Sequence, residues 1–195
     1  MAEHRGDPAY SQTGFGRRMG WGTRPALVLV DVCKAYWTPG SPLDLTAHPP
    51  SAASPAVMER LVAAARRAAV PVVWTTVEYT DGRMRDAGLF WLKSKNLSVW
   101  QAGDERGLGD FLDGLVPEDG DMVIRKKYPS AFFGTTLATD LKVLGADTLV
   151  LCGVSTSGCV RATALDSMCN GYRPMVSGSA AARLERTRKC IWANR

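Results

Sequence analysis

Cys159 lies in the stretch Gly153-Val154-Ser155-Thr156-Ser157-Gly158-Cys159-Val160-Arg161, and its place between two predicted elements is what could make it reactive. Leu149-Val150-Leu151 is a short apolar run typical of a parallel strand. Residues 160–170 carry apolar residues at helical spacing, with Gly171 as a C-cap. The thiol is therefore expected at the first turn of a helix, among backbone N–H groups that have no intrahelical partner. Those groups and the helix dipole favour a thiolate, and they can hold the oxyanion that forms when sulfur attacks a carbonyl. The alternative is an inert cysteine packing a helix N-terminus. The segment alone leaves the two readings even.

A nucleophilic cysteine needs a base. The chain has two histidines, His4 in a polar N-terminal tail and His48 in the loop Ala47-His48-Pro49-Pro50, and neither is predicted on a rigid element. The base is then a carboxylate or a lysine at a strand end. Ala26-Leu27-Val28-Leu29-Val30-Asp31 is the most hydrophobic strand and ends in an acid, and in a parallel sheet such ends line the ligand crevice. Asp31 also suits a turn or helix cap. Met122-Val123-Ile124-Arg125-Lys126-Lys127-Tyr128 is a second strand with basic residues at its end, equally readable as a solvated turn. Spacing does not choose among Arg125, Lys126 and Lys127.

Several motifs in order carry a resemblance. An apolar strand ends in Asp31; Lys126-x-Tyr128-x-Ser130-Ala131-Phe132 precedes Gly134-Thr135; and Gly153-Val-Ser-Thr-Ser-Gly-Cys-Val-Arg-Ala-Thr163 follows. The chain thereby resembles the isochorismatase-like cysteine hydrolases, and within them the N-carbamoylsarcosine amidases, from about Gly14 to Val176. Gly40-Ser41-Pro42-Leu43, Asp86-Ala87-Gly88-Leu89-Phe90 and Gly171-Tyr172-Arg173-Pro174-Met175 belong to the likeness.

The resemblance implies a catalytic set of Asp31, Lys126 and Cys159, with Lys126 preferred to Lys127 by its register to Ser130-Ala131-Phe132. It implies a non-proline cis peptide at Val154–Ser155, which directs the N–H groups of Ser155 and Cys159 at an oxyanion. The implied activity is amide hydrolysis through a Cys159 thioester, with N-carbamoylsarcosine as the first expected substrate. Maleamate, biuret and other small amides are alternatives, as is a non-catalytic binding or assembly subunit. A fast-alkylating, low-pKa Cys159 would mark the enzyme. Tyr36, Trp37 and Phe132-Phe133 are expected to wall the pocket, and Arg183, one residue out of the family's register, to bind a substrate carboxylate. Relatives also imply a homo-oligomer, dimer or tetramer, with Trp91 and Trp100 as candidate contacts. Some amidases of this kind hold a metal through an Asp and several His; here only Asp44 and His48 are local, so neither metal nor cofactor is expected.

Composition frames these residues. The 195-residue chain is 46% hydrophobic, enough for one domain with a substantial core. A single hydrolase domain over 1–195 is expected, with an N-terminal arm at 1–20 and an atypical tail at 177–195 in place of the family's ending. The net charge of +5 comes from scattered basic residues without a basic-aromatic platform, which argues against nucleic acid. No membrane-length apolar run occurs, and five cysteines without framework spacing suit a reducing, cytoplasmic compartment. Alternating signals predict a three-layer α/β/α sandwich with an open, mostly parallel, Rossmann-like sheet. Its strands are expected at 25–32, 70–77, 122–125, 148–153 and 173–176, and its helices at 55–69 and 136–144. The long interval 78–121 reads as loop with short helices, one of them at 107–115, and as a carrier of function or of oligomer contacts.

Overall fold

A computed structural model describes Thr13 and residues 19–182. Its centre is a five-stranded sheet of β1 (Pro25–Val30), β2 (Val72–Val77), β3 (Met122–Lys126), β4 (Thr148–Val154) and β5 (Arg173–Ala182), in the order β3-β2-β1-β4-β5. Every pairing is parallel, so the sheet is all-parallel among the described residues rather than mostly so. The helices are α1 (Pro49–Ala52), α2 (Ser54–Arg67), α3 (Gly88–Lys93), α4 (Leu137–Val143) and α5 (Arg161–Cys169).

Period-two alternation along β1 builds the layers. Leu27 and Leu29 pack with Met58, Val62 and Ala65 of α2 on one face. Ala26, Val28 and Val30 pack with Leu137 and Leu141 of α4 and with Val160 on the other. β1 is buried on both faces and central in the sheet, which is why it reads as an unbroken apolar run.

Residues 78–121 differ most from expectation. α3 and a 3₁₀ segment over Lys95–Trp100 form there, but 107–115 is a series of turns without a helix. Gly107 (φ +62°) and Gly114 (φ +83°) occupy left-handed backbone, which interrupts a helix, and the carbonyls of Leu108 and Asp110 accept from Ala35 and Lys34. Trp100, read from sequence as a surface contact, is buried against Tyr36 with ring centroids 6.1 Å apart. This interval closes a third apolar cluster, with Tyr36, Leu45, Tyr79, Leu97 and Trp100, over the carboxyl ends of the strands.

β1 and β4 approach each other unusually closely at Gly153. Its φ is +105°, and a Cβ there would lie 2.1 Å from the Val30 carbonyl oxygen. Gly153→Ala is therefore expected to lower unfolding stability by about 3 kcal/mol or more, from backbone strain plus overpacking. The shift in urea midpoint measures it; an unchanged midpoint would show that the two strands can separate at no cost.

Candidate active site

The chain leaves β1 toward β2 on one side and enters β4 on the other, so the sheet's switch point lies between β1 and β4, where open α/β sheets bind ligands. Asp31 follows β1 at that point with φ +52°, a left-handed conformation that costs a non-glycine residue about 1 kcal/mol or more. Thr75 of β2 holds it. The Asp31 N–H donates to Thr75 O (3.2 Å) and to Thr75 Oγ1 (3.1 Å), and the Thr75 hydroxyl donates to Asp31 Oδ1 (2.6 Å).

Lys126 ends β3 and reaches past β2 to the same carboxylate. Its Nζ is 2.8 Å from Asp31 Oδ2, and neither side chain is exposed. Oδ2 meets the cation as a charge contact without an aligned hydrogen bond, while Nζ donates to Tyr128 O (3.0 Å). Burial acts to lower the Lys126 pKa, but the Asp31 carboxylate and the Cys159 sulfur outweigh it and hold the ammonium above its usual range.

Beyond β4 the Val154–Ser155 peptide is cis. A π-type turn over Thr156–Val160 then precedes α5, with the N–H groups of Gly158 (3.0 Å) and Val160 (3.2 Å) donating to Ser155 O. Gly158 has φ −115° and ψ −107°, and a Cβ there would come 2.7 Å from Ser155 Oγ. The Thr156 hydroxyl ties the turn to β5 through the carbonyls of Ala181 (3.0 Å) and Ala182 (2.9 Å). Cys159 is thus held by a non-α-helical turn, two residues ahead of Arg161, where the regular helix begins.

Burial pushes the Cys159 thiol up to about 12; Lys126 opposes this and the Asp31 carboxylate adds to it. Cys159 thus lies in a π-type turn rather than in the first turn of the regular helix, and burial opposes the thiolate expected there.

These groups open into a cavity of about 270 Å³. Ser155, Gly158, Cys159 and Lys126 contribute to its lining, and Tyr36, Leu43, Val77, Phe90, Leu97 and Trp100 supply apolar wall. Of the pocket residues expected from sequence, Tyr36 is in the wall. Trp37 is outside the lining, its Nε1 donating to Ser51 O (3.0 Å), and Phe132 is outside it too, stacked on Tyr172 at 6.0 Å. Phe133 is exposed against Tyr128, and Arg183 lies outside the described residues. Asp44 accepts from Gly40 N–H and from the N–H and hydroxyl of Thr46, and His48 Nδ1 bonds Ser51 Oγ (2.8 Å); both serve their local turns.

Sequence reasoning missed Thr75, whose signal was a hydroxyl in the otherwise apolar Val72-Val73-Trp74. It also missed the wall residues of 90–100, whose signal was the dense Leu97-x-Val99-Trp100 within an apparent loop.

An all-parallel sheet with a thiol, a carboxylate and an ammonium gathered at its switch point defines an α/β protein built around a cysteine site. Residues 25–189 match the isochorismatase domain, and the chain belongs to the isochorismatase family. The maleamate amidohydrolase of Pseudomonas putida KT2440 is 38% identical over 162 residues, 83% of this chain and 74% of that one. The N-carbamoylsarcosine amidase of an Arthrobacter species is 34% identical over 180 residues, 88% of this chain. The chain spans only 64% of that enzyme's length. The crystal structure of an N-carbamoylsarcosine amidase from Thermoplasma acidophilum matches with a TM-score of 0.69 at 28% identity, covering 85% of this chain and 87% of that one.

The charge arrangement makes a reactivity prediction. Asp31→Asn removes the anion that raises the Cys159 thiol while Lys126 remains, so alkylation of Cys159 by iodoacetamide at pH 8 is expected to rise severalfold over wild type. Peptide mapping reads the rate against exposed Cys169. A slower Cys159 in the variant would show that the carboxylate does not hold the thiol neutral.

Proposed function

We propose that this protein is a cysteine-dependent amidohydrolase of small linear amides, with Asp31, Lys126 and Cys159 as its catalytic residues. The observation that carries the reading is the buried Lys126–Asp31 contact of 2.8 Å, with Lys126 and Cys159 both lining one small cavity. Its volume lies below the roughly 300–1,000 Å³ of sites for drug-sized ligands, which suits a compact amide.

In this reading Asp31 takes the thiol proton as sulfur attacks the amide or ureido carbon, and Lys126 offsets the negative charge passing between carboxylate and sulfur. The carbonyl oxygen becomes an oxyanion facing the N–H groups of Ser155 and Cys159. As the C–N bond breaks, Asp31 returns the proton to nitrogen and ammonia departs, leaving an acyl or carbamoyl group on Cys159. A water that gives its proton to Asp31 adds to that thioester, the C–S bond breaks, and the thiol is restored.

N-carbamoylsarcosine is the substrate proposed first, giving sarcosine, carbon dioxide and ammonia; the shared motifs and the fold-level match with enzymes acting on it support that choice. Maleamate is the second reading, favoured by the 38% identity to an enzyme that hydrolyses it.

Ammonia release from N-carbamoylsarcosine, maleamate, biuret and nicotinamide, each with wild type and Cys159→Ala, tests the proposal. Release from at least one compound is expected, with kcat reduced at least 10³-fold in the variant, on the order seen when a covalent nucleophile is removed. Undiminished release by Cys159→Ala would sink the mechanism.

A further inference from the structure

Tyr36 is 4% exposed and sits in the cavity wall. Buried tyrosines ordinarily find a partner for the hydroxyl. Tyr79 donates to Lys127 O (2.8 Å) and Tyr172 to Ala138 O (3.0 Å). Among the described residues Tyr36 Oη has no such bond, although the ring is packed edge-on to Trp37 at 5.9 Å and tilted to Trp100 at 6.1 Å. A phenol fixed by its ring, with its hydrogen-bonding end uncommitted inside a cavity, is a group kept for a ligand.

Three of the cavity's other polar groups are already engaged. Lys126 is committed to Asp31 and to Tyr128 O, and Lys127 to Asp86 at 2.7 Å. Asn96 is exposed at the mouth, with its side-chain amide donating to Pro42 O (3.0 Å). With the scissile carbonyl at Cys159, the rest of a bound amide would lie along the wall that Tyr36 shares with Leu43, Val77, Phe90 and Leu97, and with the polar Lys93, Ser94 and Tyr128.

We propose that Tyr36 Oη–H donates a hydrogen bond to a second oxygen of the substrate, the carboxylate of a small anionic amide, and thereby selects such acids. The proposal rests on the amidohydrolase reading and deepens it by naming the residue that recognises the carboxylate its two proposed substrates share. Burial, and then the nearby Cys159 sulfur, raise the phenol well above its ordinary pKa, so it stays a donor throughout the working pH range. A neutral donor meeting an anionic acceptor away from water makes one of the stronger hydrogen bonds available to a side chain, and it leaves the Asp31–Lys126 charge balance undisturbed.

Tyr36→Phe keeps the ring, so the fold is preserved and only the hydroxyl is lost. Two measurements test it on maleamate and N-carbamoylsarcosine: kcat/KM by ammonia release, and calorimetric affinity in Cys159→Ala with and without Tyr36→Phe. Loss of the hydroxyl is expected to cut kcat/KM roughly 10- to 100-fold, mostly through KM, with a matching loss of affinity in the Cys159→Ala pair. Values within twofold of the parent in both measurements would overturn the role of Tyr36 and leave the amidohydrolase reading standing. Wild type that releases no ammonia from either acid while hydrolysing a neutral amide would overturn the anionic class. No release from any amide would remove the reading on which the proposal is built.

Discussion

Lys126 and Asp31 are two opposite charges held out of water, and most of the local architecture can be understood as compensation for that. Removing each ion from solvent costs several kcal/mol, and mutual attraction repays this only where geometry is good and the remaining polar atoms are satisfied. Asp31 has the Thr75 hydroxyl on Oδ1, and Lys126 has Tyr128 O. The strand order is part of the same requirement. β2 lies between the two charged strand ends, so Lys126 must reach past it, and β2 supplies Thr75 at the midpoint of that reach. A shorter or branched side chain at 126 would leave the carboxylate buried and uncompensated.

The same pair explains how a neutral thiol can be poised for attack. A free thiolate beside Asp31 in a dry cavity would place two negative charges against one ammonium. With the proton on sulfur, the carboxylate and ammonium balance each other and Cys159 adds no charge. In the proposed reaction the proton moves to Asp31 only as negative charge leaves sulfur for the substrate oxygen, where backbone N–H groups receive it. The site therefore never holds more than one uncompensated charge, which is the economical solution where water is excluded.

The sequence made the sheet legible because β1, β2 and β4 are buried on both faces and must be continuously apolar. Asp31 directly follows such a run, which places it at the crevice, whereas Cys159 comes five residues after β4 and was singled out by the motif around it rather than by the strand. Lys126 could not be separated from Arg125 and Lys127 by spacing, because all three lie where a strand meets solvent; what distinguishes it is the inward alternation at the end of β3, visible once register is known. The cover of the cavity was less legible. Residues 78–121 bury Tyr79, Leu97 and Trp100 without regular periodicity, so their apolar character looked like a surface for partners when it closes the chain's own site. Trp37 and Phe132 misled for the opposite reason: adjacency to a pocket residue in sequence says nothing about which way a ring turns, and both rings are satisfied elsewhere.

The closing interval also accounts for why so much of the cavity is apolar while its chemistry is ionic. Leu43, Phe90, Leu97 and Trp100 exclude water from above, and the lower effective dielectric strengthens each charge interaction at the floor. That benefit would be lost if the wall offered free charges, since a mobile cation close to Asp31 would compete with Lys126 and unsettle the thiol proton. Asp86 prevents one such competition by engaging Lys127, the basic neighbour that follows Lys126 directly in sequence. The Asp86 side chain also accepts from the Thr80 backbone N–H, so the loop carrying α3 is anchored by the residue that withdraws the second lysine. Anchoring the loop that covers the cavity and engaging Lys127 are thus done by one carboxylate, which lies outside the cavity lining.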